Sequence, residues 1–124
     1  MSLRDRLRAR QLPTQTVTLP SGDDGDDEQI TLRALPAPEW EALVALHPAS
    51  AEDQAKGAGW DVTTFRPALL AAAVVTAEGD EPLSEQDWAE LIALGVMTAG
   101  EVNLLFNTAC VLNDRAPDLS LGKG

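Results

Sequence analysis

The sequence predicts a mainly α-helical chain of the α+β class. One small N-terminal β-hairpin precedes a compact bundle of about four to five short helices, the last two of which form a C-terminal αα-hairpin. Three observations predict this. Thr16-Val-Thr-Leu19 and Gln29-Ile-Thr-Leu-Arg33 alternate with period two around Pro20, Ser21 and Gly22. After them, apolar residues recur at helical spacing between start and stop signals. Apolar content is 44%, yet the aromatic residues are three Trp and two Phe with no Tyr, so the core rests on Leu, Ala and Val and suits helices better than a β-sandwich. A chain of 124 residues favours one domain with a modest core. The expected organisation is a basic arm over 1–12, a single domain over 13–113 and a flexible tail over 114–124.

In the arm, Leu3 and Leu7 stand at i and i+4 among Arg4, Arg6, Arg8 and Arg10, which allows a short helix that Pro13 ends. Those arginines are four of the nine basic residues. They read either as a frayed terminus or as an arm that docks on an acidic face of its own chain or of a neighbouring subunit. In the hairpin, Val17 and Leu19 on one strand and Ile30 and Leu32 on the other mark an apolar face. Two strands alone are marginal, so that face must lie on helices. The intervening loop is too long for its sequence to specify the register.

The next helix falls between Pro36 and Pro48, with acids in its first turn and Trp40, Leu43, Val44 and His47 on one stripe. Residues 49–59 contain Gly57 and Gly59 and read as a flexible connection. Asp61 or Thr63 caps a helix running to about Thr76, with Phe65, Leu69, Ala72 and Ala73 as its stripe. Pro67 fits that helix only within its first turn. Ser84-Glu-Gln-Asp87 precedes the helix of Trp88 to Leu94, which stops at Gly95. Thr98-Ala-Gly-Glu101 is a capping box for the helix of Val102 to Leu112. The short connection between these two helices predicts an αα-hairpin with Leu91, Leu94, Val102 and Leu105 as its seam.

Charge and chemistry narrow the function. A net charge of −11 disfavours binding to a nucleic-acid backbone, which needs clustered Lys and Arg. It keeps the chain soluble by self-repulsion, or offers an acidic face to a basic partner. Cys110 is the single cysteine, lies in an apolar helical stretch and reads as an inert thiol. No signal peptide is visible, and the longest strongly apolar run, Ala68 to Val75, is too short to cross a bilayer, so a cytosolic chain is expected. His47 is the single histidine, which leaves few donors for zinc. Neither a nucleophile elbow nor a phosphate loop occurs. The acidic loop Ser21-Gly-Asp-Asp-Gly-Asp-Asp-Glu28 fails the EF-hand pattern: counted from Asp23, Glu28 stands where Gly belongs and Ala34 where Glu belongs. No catalytic, cofactor or metal site is therefore assigned, and a solvated hairpin tip is expected. The candidate protein-binding residues are Trp40, Trp60, Phe65, Leu69, Trp88 and Leu91. Each also suits a core anchor, and tryptophan is enriched at binding hot spots.

In order and wording, the segments resemble the tail assembly chaperones of long-tailed bacteriophages and prophages, especially those of actinobacterial hosts. The matching stretches are Val17-Thr-Leu-Pro-Ser-Gly22, Ile30-Thr-Leu-Arg-Ala-Leu35, Trp60-Asp-Val-Thr-Thr-Phe-Arg-Pro-Ala-Leu-Leu70, Pro82-Leu-Ser-Glu-Gln-Asp-Trp88 and Leu94-Gly-Val-Met-Thr-Ala-Gly-Glu101. The resemblance covers about residues 16 to 113. The resemblance implies a non-enzymatic protein of the host cytoplasm, absent from the mature virion. Such a protein coats the helical tape measure protein, keeps it soluble and helps recruit tail tube subunits. The family also makes a longer frameshifted form of itself, and Leu121-Gly-Lys-Gly124 contains the Gly-Lys pair that a GGGAAA slippery run encodes. A homo-oligomer is compatible with this role; a nucleic acid or a membrane is not an expected partner. Two alternatives stand beside it: an acidic protein that mimics DNA to inhibit a basic host protein, and a structural connector between head and tail.

Overall fold

The computed structural model describes residues 1–20, 25 and 27–113. Its elements in chain order are α1 (Leu3–Arg8), β1 (Thr14–Leu19), β2 (Glu28–Arg33), α2 (Ala37–Leu46), α3 (Ala51–Ala55), α4 (Val62–Ala73), α5 (Glu85–Leu94) and α6 (Ala99–Asn113). The mixed α+β class is as expected, with an antiparallel hairpin and six helices among the described residues. The expectations for the hairpin tip at Ser21–Asp24 and Asp26, for the tail 114–124 and for its Gly-Lys pair lie outside the described residues.

The strands pair from Thr14 with Arg33 to Leu19 with Glu28. This register places Val17 opposite Ile30 and brings Val17, Leu19 and Leu32 together on a buried face. The other face carries Thr16 and Thr31, whose hydroxyl oxygens lie 2.9 Å apart across the strands. Leu32 pairs further with Val74, and the Val75 N–H donates to the Thr31 carbonyl at 2.8 Å. The chain leaving α4 thus covers the outer edge of β2. It also ends α4 at Ala73, three residues short of the expected Thr76, because β-branched Val74 turns extended to join the sheet.

Helix α4 is the centre of the packing. Phe65, Leu69, Leu70 and Ala73 are fully buried on it, and α2, α5 and α6 all rest against it. Asp61 caps its start by accepting from the N–H groups of Thr63 and Thr64. Pro67 sits inside the helix, one turn beyond the place where proline costs nothing. It removes the donor that would meet the Thr63 carbonyl, and its ring is buried in exchange.

Caps define the other helices. Ser84 and Asp87 form a full reciprocal box at the start of α5, and Gly95 ends it in the left-handed region with φ 74°. Thr98 and Glu101 do the same for α6: the Thr98 N–H donates to Glu101 at 2.8 Å and the Glu101 N–H to Thr98 at 3.1 Å. The expected seam between these helices is corrected. Val102 and Leu105 are buried, but Leu94 is 74% exposed. Trp88, Leu91 and Ile92 define the inward face of α5 at i, i+3 and i+4, and Leu94 falls off that stripe. The two helices meet chiefly through α4, on which each makes its main helix–helix packing.

Residues 49–59 are also corrected. They are not a plain connection but include α3, which opens on a reciprocal box of Ser50 and Asp53. Gly57 follows at φ 83°, a conformation that other residues adopt only with strain. Hydrogen bonds from the Ser50 backbone N–H and hydroxyl hold the Asp53 carboxyl below the usual aspartate range. A depressed carboxyl stabilises α3 at neutral pH, and that contribution fades as pH falls through the folded value. Ser50→Ala is therefore expected to raise the Asp53 pKa toward the ordinary aspartate value in a carbon-detected NMR titration. Phe65→Ala should cost about 3–5 kcal/mol in urea unfolding, whereas Leu46→Ala, at a residue 74% exposed, should stay within about 0.5 kcal/mol.

Candidate protein-binding face

Four of the five Trp and Phe residues form one cluster, with Phe65 at its centre. Its ring stacks on Trp60 at 4.6 Å and meets Trp40 and Phe106 edge-on at 5.6 and 6.2 Å. Trp40 also meets Trp60 edge-on at 5.9 Å. His47 closes the group: its ring lies 5.9 Å from Phe65, and its Nδ1 is 2.9 Å from the Thr64 hydroxyl. Such contacts are worth about 0.5–1.5 kcal/mol per pair beyond the area they bury. The Arg66 guanidinium lies 5.6 Å above Phe106, while its Nε is buried with no hydrogen-bond partner among the described residues.

The six sequence-predicted binding residues divide by burial. Phe65 and Leu69 are core residues that present no surface, and Trp88 is nearly buried, reaching only the wall of a groove between β2 and the connection from α4 to α5. Leu91 is partly buried and packs toward the core from α5. Trp40 and Trp60 are half-buried, and they line a shallow pocket with Cys110 and Val111 of α6. Of the six, these two are the ones that the fold brings together at one surface pocket.

The same pocket exposes a feature that the sequence reading passed over. Between Glu101 and Asn113, α6 carries no charged residue, on a chain with twenty acidic and nine basic ones. Val102, Leu105, Ala109 and Leu112 turn inward. The opposite side presents Leu104, 48% exposed, and Val111, 68% exposed. Between them, the Thr108 hydroxyl donates to the Leu104 carbonyl at 2.6 Å, so its polarity is spent within the helix.

Two recesses flank this side of α6. One is the tryptophan pocket. The other is a groove of about 590 Å³ between Leu104, Thr108 and Val111 of α6 and residues 15–18 of β1. Val111 belongs to both, so they form one continuous surface. Because β2 lies between β1 and Val74, the outer edge of β1 has no strand paired to it among the described residues. Its backbone N–H and C=O groups are therefore open to an added chain.

Asn113 holds this surface in place. Its side-chain oxygen accepts from the Leu35 N–H, and its side-chain nitrogen donates to the Ala109 carbonyl at 2.8 Å. The end of α6 is thereby tied to the exit of β2. Among the described residues, no three His, Cys, Asp or Glu side chains gather to hold a metal ion, and no helix is long and apolar enough to cross a membrane. The chain matches no protein-family model, no curated protein and no solved structure.

If the outer side of α6 is a surface rather than misplaced core, Leu104→Lys and Val111→Lys should each change unfolding free energy by no more than about 0.5 kcal/mol. Leu105→Ala, on the inner side, should cost about 2–5 kcal/mol in the same denaturation series. Asn113→Ala should cost about 1–3 kcal/mol by leaving the Leu35 N–H without its acceptor.

Proposed function

We propose that this chain is a non-catalytic tail assembly chaperone of a long-tailed phage or prophage. It holds amphipathic helices of the tape measure protein in solution and helps recruit tail tube subunits around them. One observation carries the reading: on a chain of net charge −11, the outer side of α6 is uncharged, exposes Leu104 and Val111, and runs from an open strand edge to the Trp40 and Trp60 pocket. A client helix with apolar residues at i, i+3, i+4 and i+7 fits such a surface. The ordered sequence segments that resemble this chaperone family support the same reading.

The surrounding charge suits a holdase. Self-repulsion between copies keeps a loaded complex from coalescing. A long client offers many similar helices, so modest affinity per copy becomes firm coating through multivalency. On this reading the chain works in the host cytoplasm and leaves before the virion is complete, with a longer frameshifted form as a working partner.

Co-expression with the proposed client, a tape measure protein, tests the proposal. The client should move from the pellet to the soluble fraction with the wild-type chain. Leu104→Glu combined with Val111→Glu should return most of it to the pellet while the chain itself remains folded by circular dichroism. Equal insolubility of the client with and without the wild-type chain would defeat the proposal.

A further inference from the structure

The arm and the body have opposite charge. Of nine basic and twenty acidic residues, residues 1–12 hold four and one, which leaves five basic against nineteen acidic in the remainder. The arm is also preorganised. Ser2 and Asp5 form a reciprocal capping box on α1, and the Arg6 guanidinium donates to the Met1 carbonyl at 2.8 Å. Yet α1 buries nothing: Leu3 is 61% exposed and Leu7 53% exposed. A capped helix with two exposed leucines at i and i+4, flanked by arginines, is an amphipathic ligand without a seat.

A complementary seat exists at the other end of the hairpin. A groove of about 220 Å³ runs between β2, the chain leaving α4 and the connection to α5. Ile30, Val74 and Leu83 give it an apolar floor, and Glu28, Asp80 and Glu81 supply carboxylates, with no basic residue lining it. Among the described residues, the ion pairs are Arg33 with Glu39 and Lys56 with Glu52. Neither the four arginines of the arm nor the three carboxylates of the groove take part in them.

The arm of the same copy is badly placed for this groove. Arg10 and Leu12 lie beside Ala34, Leu35 and Ala37, at the end of the hairpin where Thr14 pairs with Arg33. The groove opens at the end where Leu19 pairs with Glu28, about 17 Å away along the strand. It also lies on the edge of β2 that faces away from β1.

We propose that the arm of one copy docks in the groove of a second copy, with Leu3 and Leu7 on the apolar floor and Arg4 and Arg8 against Glu28, Asp80 and Glu81. The arm and the groove are different patches, so the contact is heterologous and extends into rings or open chains unless two copies exchange arms. It leaves the outer side of α6 uncovered.

Light scattering during size-exclusion chromatography of the full chain tests this. Wild type should self-associate with rising concentration, and raising salt from 50 to 500 mM should weaken association at least tenfold, as screening of exposed ion pairs requires. Arg4→Glu with Arg8→Glu should abolish association, as should Asp80→Lys with Glu81→Lys. Mixing those two variants sets the unchanged arm against the unchanged groove and the reversed arm against the reversed groove, so association should return with one-to-one stoichiometry. A chain carrying all four changes should regain association, an outcome that misfolding of either parent would prevent. A wild-type chain that stays monomeric, charge-reversed variants that associate like wild type, or a mixture that forms no pair would overturn the proposal.

Discussion

Everything in this fold rests on the burial of one helix. Helix α4 carries Phe65, Leu69, Leu70 and Ala73 at zero exposure, and three other helices lean on it. Its C-terminal exit then joins the sheet through Val74. Because the hairpin and the helices share this one partner, neither is an independent unit. A two-stranded sheet would be marginal in water by itself, and α5 and α6 gain their relative position from α4 more than from one another. Phe65 links the parts most directly, since it touches the side chains of α2, the α3–α4 connection and α6 in a single aromatic group.

Such a core constrains the surface. With most large side chains committed to α4, α6 has apolar residues left over, and Leu104 and Val111 face outward with no nearby charge. Exposed leucine and valine are ordinary when scattered. Here they lie between two recesses on a helix without charge after Glu101, which sets them apart from Leu46, placed singly at a helix end. The acidic residues concentrate elsewhere in the sequence: between the two strands, in the first turns of the helices, where they cap or complement the dipole, and along the α4–α5 connection. The chain thus separates charge from its uncharged side by position along the sequence.

Local features were legible because their causes are local. The alternation of Val17 with Leu19 and of Ile30 with Leu32 marked the buried strand face, and Ser84, Thr98 and Asp61 marked helix starts through side chains that reach only two or three residues. The same Ser-x-x-Asp signature stands at Ser50, where the nearby glycines drew the reading toward a loop and hid α3. What the sequence could not reveal depends on tertiary placement. Trp40, Trp60, Phe65 and Phe106 lie on segments up to 66 positions apart, and no periodicity links them. Of the expected binding residues, Phe65 and Leu69 went inside because they lie on the buried stripe of α4 itself, and Trp88 because it lies on the inward face of α5. The outer side of α6 escaped notice because its signal is a missing charge rather than a motif, and the free edge of β1 became apparent only once Val74 was seen to occupy the edge of β2.

Hydrogen exchange on this chain, free and mixed with the proposed helical client, bears most directly on the claim that this is a binding body whose working surface is α6. The account predicts that α4 is the best-protected segment in the free chain. It also predicts that client binding adds protection along residues 104–113 and on the outer amides of β1, with little change around residues 78–88. Added protection confined to the hairpin tip or to the α4–α5 connection, with α6 and β1 unchanged, would contradict it.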